Sequence, residues 1–199
     1  MTAPGPPPDL ASRHPELITL PTGAVLHRFY TRVTASGING PIHFDRSADG
    51  RLNAPDAAYG VLYAAEKAEG AFAETFLREP GRALLPLDLV RRKAYVTLIT
   101  SRPLSLVKLA GAGLAKVGAT AEVTHGGGRY DVPQAWSAAL RSHPVRPDGI
   151  AYFARHDDEQ LCFALFDHSV PVEKRRIETL DQEWFWAMAD RYGVGLAPS

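Results

Sequence analysis

The segment KAYVTLIT at residues 93–100 constrains the fold most, because its side chains alternate between two sides as they do in a strand. Tyr95, Thr97 and Ile99 fall on one side, and the residues between them form the other. Runs rich in β-branched and aromatic residues predict further strands at 24–33, 59–64, 104–109, 149–154 and 161–167. The last two are predicted to form a hairpin, because only a short polar turn separates them.

Three other segments show the 3.6-residue period of an amphipathic helix. In the first, at 65–78, Phe72 and Phe76 lie on one apolar stripe, and a Pro-Gly pair ends the pattern. The other two helices are predicted at 132–143 and 177–192. This mixture of elements predicts an α+β domain, in which helices flank a mixed, mainly antiparallel sheet.

The chain divides into a short N-terminal segment and one domain. Residues 1–22 are rich in proline and polar groups, and they are predicted to form a flexible arm that is either mobile throughout or ordered in part against the domain or a partner. Residues 23–199 show no repeat and no internal boundary, and their length suits a single domain. The helix at 177–192 belongs to this domain. Its adjacent aromatic residues favour either packing in the core or formation of a homo-oligomer.

The composition is that of a soluble globular protein, with 45% hydrophobic and 22% charged residues. The 22 basic and 22 acidic residues balance, so the charge gives no reason to expect direct binding to nucleic acid or to a membrane surface. No apolar run approaches the roughly 18 residues of a membrane span, and the N-terminus lacks the pattern of a signal peptide. A single cysteine, Cys162, suits a reducing compartment, so we expect a cytoplasmic protein.

Familiar catalytic signatures are missing from the sequence, including the serine-hydrolase elbow, the zinc-protease helix and the phosphate-binding loop. The seven histidines show no ligand spacing, so no metal site is expected. Three polar features remain in settings that need an explanation. Arg28 lies within an apolar, aromatic strand, where it is either paired and buried or on an exposed face. The loop GRLNAP at 50–55 offers Arg51 and Asn53, which ordinary turn chemistry also explains.

Glu74 is the third such feature, because it lies away from the apolar stripe of its predicted helix. It is either a solvated residue with Arg78 as its i+4 partner, or a functional carboxylate. The functional alternative is that four residues converge at one pocket: Arg28, Arg51, Tyr63 and Glu74. The pattern of residues alone does not choose between these alternatives.

These same residues carry a resemblance to a known family. The Arg-aromatic pair at Arg28, the loop at 50–55, and Tyr63 followed eleven residues later by Glu74 resemble the RES domain, which is named for its Arg, Glu and Ser. Leucine stands in the loop where the family commonly has tryptophan. Later stretches at 130–140 and 148–167 also resemble the family, so the likeness covers roughly residues 24–168.

The resemblance implies a fold similar to that of the ADP-ribosyltransferase toxins, with a cleft that takes NAD. It further implies an NAD glycohydrolase or phosphorylase that uses NAD as its substrate and needs no separate cofactor. Such proteins act as toxins, and an Xre-like antitoxin protein is the implied partner. Two alternatives are a mono-ADP-ribosyltransferase that modifies a protein, and a weakened member that only binds NAD or its partner.

The resemblance also implies roles for particular residues. Glu74 is expected to stabilise the oxocarbenium-like transition state, together with Arg28 and Tyr63 as the catalytic group. Arg28 and Arg51 suit a diphosphate, because guanidinium groups bind phosphate oxygens in bidentate fashion. Tyr63 is expected to stack on nicotinamide or bind the ribose, and Asn53 completes the NAD-binding set.

One departure concerns the serine of the family. It commonly lies in the penultimate strand, where this chain has Ala154. The serine corresponds either to that position or to a position near Asp131 or Ser137. If Ala154 is the equivalent, we expect activity to be either retained or reduced.

Overall fold

The computed structural model describes residues 3–32, 40–79, 81, 83–127 and 129–197. The strands are β1 (Leu17–Leu20), β2 (Val25–Thr31), β3 (Val61–Ala65), β4 (Leu84–Leu85), β5 (Lys93–Ile99), β6 (Leu104–Lys108), β7 (Gly149–Ala154), β8 (Asp157–Phe166), β9 (Val172–Ile177) and β10 (Gly195–Leu196). The helices are α1 (Ala68–Phe76), α2 (Leu87–Arg92), α3 (Ala112–Val117), α4 (Glu122–His125), α5 (Asp131–Arg141) and α6 (Glu183–Arg191), preceded by a 3-10 turn at Leu10–Ser12.

An eight-stranded sheet with the order β1-β6-β7-β8-β3-β2-β5-β9 forms the centre of the fold. Its neighbouring strands run antiparallel, except for the parallel pair β6 and β7. The short strands β4 and β10 form a separate parallel pair. The prediction of an α+β domain with a mixed, mainly antiparallel sheet is therefore confirmed.

The larger of two apolar clusters joins the sheet to the helices. Phe72 and Phe76, the predicted stripe of α1, are 0% and 2% exposed. They pack with Phe29 of β2 and with Phe185 of α6, at centroid distances between 4.9 and 6.3 Å. A second cluster, which includes Leu26 of β2, is formed mainly by strand residues. The packing of α1 against β2 fixes the helix that carries Glu74.

The N-terminal segment packs on the domain over much of its length, so the mobile form of the arm predicted at 1–22 does not apply to its described residues. Its residues Leu17–Leu20 form the edge strand β1, which pairs with β6. Leu10 is buried, and the carbonyl of Pro4 accepts a hydrogen bond of 2.8 Å from the indole of Trp136. A four-residue strand between prolines gives too short an alternation to stand out in the sequence. Residues 1 and 2 of the arm lie outside the described residues.

The C-terminal region also differs from the prediction. The helix predicted at 177–192 begins only at Glu183, and the first residue of the predicted helix, Ile177, instead ends the edge strand β9. Most side chains of β9 are charged, which protects an edge from pairing but hides the strand in the sequence. Phe185 is fully buried, and Trp184 stacks on Phe29 at a centroid distance of 6.2 Å. These rings therefore have partners within the chain, and covering them requires no second copy.

The bounds of the other strands and helices shift by a few residues, as element ends commonly do. The C-terminal end of the strand predicted at 24–33 includes Val33, which lies outside the described residues. In the parts of the chain that the structure describes, no helix is long and apolar enough to cross a membrane.

Candidate functional site

The candidate site lies where the central sheet opens between β2 and β3. Strand β2 pairs with β5 along its whole length, from Val25 to Thr31, and β3 pairs with β8 along its length. Between β2 and β3, the described residues pair at a single position, His27 with Ala65. Beyond that point the two strands diverge, and a cavity of about 790 Å³ is found beside them. This volume is within the range of small-molecule sites, roughly 300–1,000 Å³.

Arg28 lies at the point where the two strands part. Its Nη1 donates a hydrogen bond of 2.7 Å to the main-chain oxygen of Tyr63. The side chain of Arg28, rather than the backbone of β2, is therefore the partner of this carbonyl. Burial lowers the pKa of Arg28 to about 10, which still leaves the guanidinium charged at neutral pH. The Nε atom of Arg28 is buried and has no hydrogen-bond partner in the described structure. The alternative of an exposed strand face therefore does not apply to Arg28.

The structure brings together the four residues that the functional alternative placed at one pocket. Arg28 from β2, Arg51 from the loop at 50–55, Tyr63 from β3 and Glu74 from α1 all line the cavity. They are separated by up to 46 positions in the sequence, so their convergence depends on the tertiary fold.

The carboxylate of Glu74 is held by two donors from β7 and the residue after it. The hydroxyl of Tyr152 donates to Oε2 at 3.2 Å, and the backbone N–H of Arg155 donates to Oε1 at 3.0 Å. Arg78 donates to the main-chain oxygen of Glu74 at 3.0 Å, and no bond to its carboxylate is found in the described structure. The alternative in which Glu74 serves only as the i+4 ion-pair partner of Arg78 is therefore not observed.

Tyr152 is a site residue that the sequence analysis missed. It is only 3% exposed, and burial raises the pKa of its phenol well above the ordinary value. The phenol therefore stays protonated and can donate to the carboxylate of Glu74. In the sequence, Tyr152 is one aromatic residue of an apolar strand, and its partner Glu74 is 78 positions away. No local signal marks it.

Tyr63 lines the cavity, and its hydroxyl is already hydrogen-bonded within the chain. This oxygen accepts from the backbone N–H of Leu52 at 2.8 Å and donates to Oδ1 of Asn53 at 2.9 Å. The pKa of Tyr63 is raised by burial, so the hydroxyl keeps its proton. The proton of this hydroxyl is used by Asn53, so the expected hydrogen bond to a ribose would require the hydroxyl to accept rather than donate.

Asn53 does not line the cavity, in contrast to its expected part in binding NAD. It is 0% exposed, and its Nδ2 donates to Asp45 at 2.9 Å and to the carbonyl of Ser47 at 2.8 Å. A side-chain carbon at Gly50 would overlap the amide of Asn53, which explains the glycine at the start of the loop. The Asn53 side chain thus supports the loop from behind.

The loop places Arg51 on the cavity wall. Its guanidinium donates to the main-chain oxygen of Thr124 and lies 5.5 Å from the centre of the Tyr130 ring. From the opposite side, Ser137 of α5 donates to the carbonyl of Leu52 at 2.6 Å. The loop is therefore held between β3 and α5, which fixes the direction of Arg51.

None of the three positions considered for the family serine lines the cavity. Ser137 is fully buried behind the loop, where its hydroxyl is used by Leu52 and Tyr59. Asp131 is exposed, and Ala154 is 0% exposed in the apolar core. Ala154 nevertheless precedes Arg155, whose backbone N–H binds Glu74.

His156 is a second cavity residue that sequence analysis missed. Burial, followed by the charge of Arg155, lowers the pKa of its imidazole. The ring is thus mainly neutral at pH 7, and its Nε2 is buried without a partner among the described residues. The described residues contain no group of three or more His, Cys, Asp or Glu side chains placed to hold a metal ion.

Comparison with known proteins supports the likeness in sequence and in fold. The model of the RES domain matches residues 25–187. Among solved structures, a chain of the M. tuberculosis MbcT–MbcA toxin–antitoxin complex matches with a TM-score of 0.59 and 14% identity, over 80% of this chain and 85% of that one. At this identity the likeness concerns the fold alone. No curated protein gives a significant match. Because the family model matches most of the length of this chain, the chain belongs to the RES domain family.

Proposed function

We propose that the protein cleaves the nicotinamide–ribose bond of NAD, with water or phosphate as the nucleophile, and acts as the toxin of a toxin–antitoxin pair. The observation that carries the proposal is the carboxylate of Glu74, oriented by Tyr152 and Arg155 in a cavity that also presents Arg28 and Arg51. Membership of the RES domain family supports the same chemistry.

The reaction needs little general-acid catalysis, but it needs a carboxylate that stabilises positive charge on the ribose. Nicotinamide is bound to the ribose through a cationic ring nitrogen, so it leaves as a neutral molecule with the electron pair of the broken bond. Positive charge then develops on the ribose, as in glycoside cleavage. The carboxylate of Glu74 stabilises that charge, and hydrogen bonds from Tyr152 and from the Arg155 backbone fix its orientation. An oxygen of water or phosphate forms the new bond to the ribose, and the proton of water passes to solvent.

The other cavity residues suit the remainder of the dinucleotide. The diphosphate carries negative charge, which matches the guanidinium groups of Arg28 and Arg51. The ring of Tyr63 offers a face on which nicotinamide can stack. Since Asn53 and the Tyr63 hydroxyl bind each other, we assign them to holding the loop rather than to binding NAD.

The toxin role is supported by the fold, because the similar solved chain comes from a toxin–antitoxin complex. The expected partner is an Xre-like antitoxin that blocks the cavity. Co-expression of an antitoxin that is encoded beside the gene of this protein should prevent NAD depletion in cells. Toxicity that persists when the cavity is blocked would contradict this part of the proposal.

Nicotinamide release from NAD by the purified protein tests the proposed reaction. We expect release by the wild type, loss of release in Glu74→Gln, and retention in Glu66→Gln, which removes an exposed carboxylate just before α1. Product analysis with and without phosphate separates hydrolysis, which gives ADP-ribose, from phosphorolysis, which gives its phosphate ester. Absence of nicotinamide release at high enzyme concentration would refute the proposal. Labelled NAD that marks a macromolecule instead would favour the transferase alternative.

A further inference from the structure

One end of the cavity gathers four basic side chains from three regions of the chain. Lys93 begins β5 and pairs with Thr31, the last residue of β2. Arg92 ends α2 directly before it, and Arg78 follows α1. Arg28 lies three residues before Thr31 on β2. All four basic residues line the cavity, although the sequence analysis singled out Arg28 alone as functional.

These basic groups are close enough to repel one another. The pKa of Lys93 is lowered to about 8, first by burial and then by the charges of Arg78, Arg28 and Arg92. The ammonium group of Lys93 donates a hydrogen bond of 2.9 Å to the hydroxyl of Thr31, which is a neutral partner. A cluster of like charges in a cavity is stabilised by a bound anion, because the anion offsets the repulsion.

The carboxylates on the cavity wall do not remove the excess of positive charge. Asp45 raises the pKa of Arg28, but burial outweighs this effect. Glu74 is bound by Tyr152 and the Arg155 backbone, and Glu79 also lines the cavity. Among the described lining residues, six Lys and Arg side chains face four carboxylates.

An independent observation points to a missing acceptor at the same place. The Nε–H of Arg28 is buried and has no partner among the described residues, while Nη1 of the same guanidinium donates to the carbonyl of Tyr63. Buried donors in folded proteins are nearly always satisfied. An oxygen of a bound anion would supply the acceptor that the described part of the chain does not provide.

We propose that Arg28, Arg78, Arg92 and Lys93 form a binding site for a phosphate oxyanion. Arginine matches the oxygens of phosphate in bidentate fashion, and lysine adds a compact charge. This inference rests on the proposed function, in which the oxyanion is either the diphosphate of NAD or the free orthophosphate that attacks the ribose. Both sources share the same chemistry, and they differ in which inorganic probe the site prefers.

Titration calorimetry with inorganic pyrophosphate and with orthophosphate tests the site without any turnover. We expect the wild-type chain to bind at least one probe, and Lys93→Gln and Arg92→Gln each to bind it about tenfold more weakly, the loss of one charge-assisted contact. Arg91→Gln is the matched control, because Arg91 is an exposed neighbour of Arg92 that does not line the cavity. Lys93→Arg should retain binding.

Preference for pyrophosphate would assign the site to the dinucleotide, and preference for orthophosphate would assign it to the nucleophile. The site is refuted if neither probe binds, or if Lys93→Gln and Arg92→Gln bind as tightly as Arg91→Gln. Circular dichroism spectra of each variant confirm that the chain is folded. Nicotinamide release without anion binding would overturn this site alone, whereas anion binding without release would overturn only the proposed reaction.

Discussion

Substitution Tyr63→Phe removes one hydroxyl and leaves the ring on the cavity wall. That hydroxyl accepts from the N–H of Leu52 and donates to Oδ1 of Asn53. Both partner residues are 0% exposed, so water cannot replace the lost bonds without a change in the loop. A buried polar group left without its partner costs about 1–3 kcal/mol. We therefore expect the free energy of unfolding to fall by about 2–4 kcal/mol for the two groups.

Thermal unfolding followed by circular dichroism measures this loss. For a chain of this size each 1 kcal/mol lowers Tm by roughly 2–4 °C, so we expect a decrease of roughly 5–15 °C. Because the same loop carries Arg51, KM for NAD should rise more than kcat falls. The control Tyr130→Phe, at a half-buried ring, should change stability by less than about 0.5 kcal/mol. A Tyr63→Phe chain as stable as the wild type would refute the bracing role of the hydroxyl.

Three further predictions concern the charge of the cavity and the packing of the core. Glu74→Gln should slow nicotinamide release by roughly 100–1000-fold, and a smaller loss in single-turnover assays would contradict its role. Ala154→Ser buries a hydroxyl in the core, so it should destabilise by about 1–3 kcal/mol without raising turnover, measured by thermal unfolding and nicotinamide release. Lys93 has a lowered pKa of about 8, so its charge and its affinity for pyrophosphate fall as pH rises through that value. In Lys93→Arg the affinity should persist to higher pH, and identical pH profiles would exclude Lys93 as the binding group.

The parts of the fold with a strong local period could be predicted from the sequence. The alternation at 93–100 corresponds to β5, and the stripe of Phe72 and Phe76 is buried in the core. Strands β1 and β9 could not be found in this way. The first is short, and the second carries charge on most of its residues because it lies at the sheet edge.

The candidate site was predicted in part, and its omissions have a physical cause. The resemblance named Arg28, Arg51, Tyr63 and Glu74, and all four line one cavity. It could not show how they are held, because those contacts join distant parts of the chain. Glu74 binds groups that are 78 and 81 positions away. The contacts of Asn53 were hidden for the same reason, since the turn alone does not show which side of the loop its side chain occupies.

The position of Glu74 relative to the scissile bond of NAD is the central claim, and a crystal structure of the Glu74→Gln chain with NAD tests it most directly. We predict that the nicotinamide riboside lies in the cavity against the side chain of residue 74. We also predict that the diphosphate lies against the guanidinium of Arg28. NAD bound with its nicotinamide–ribose bond outside the cavity, away from residue 74, would contradict the proposed catalytic role.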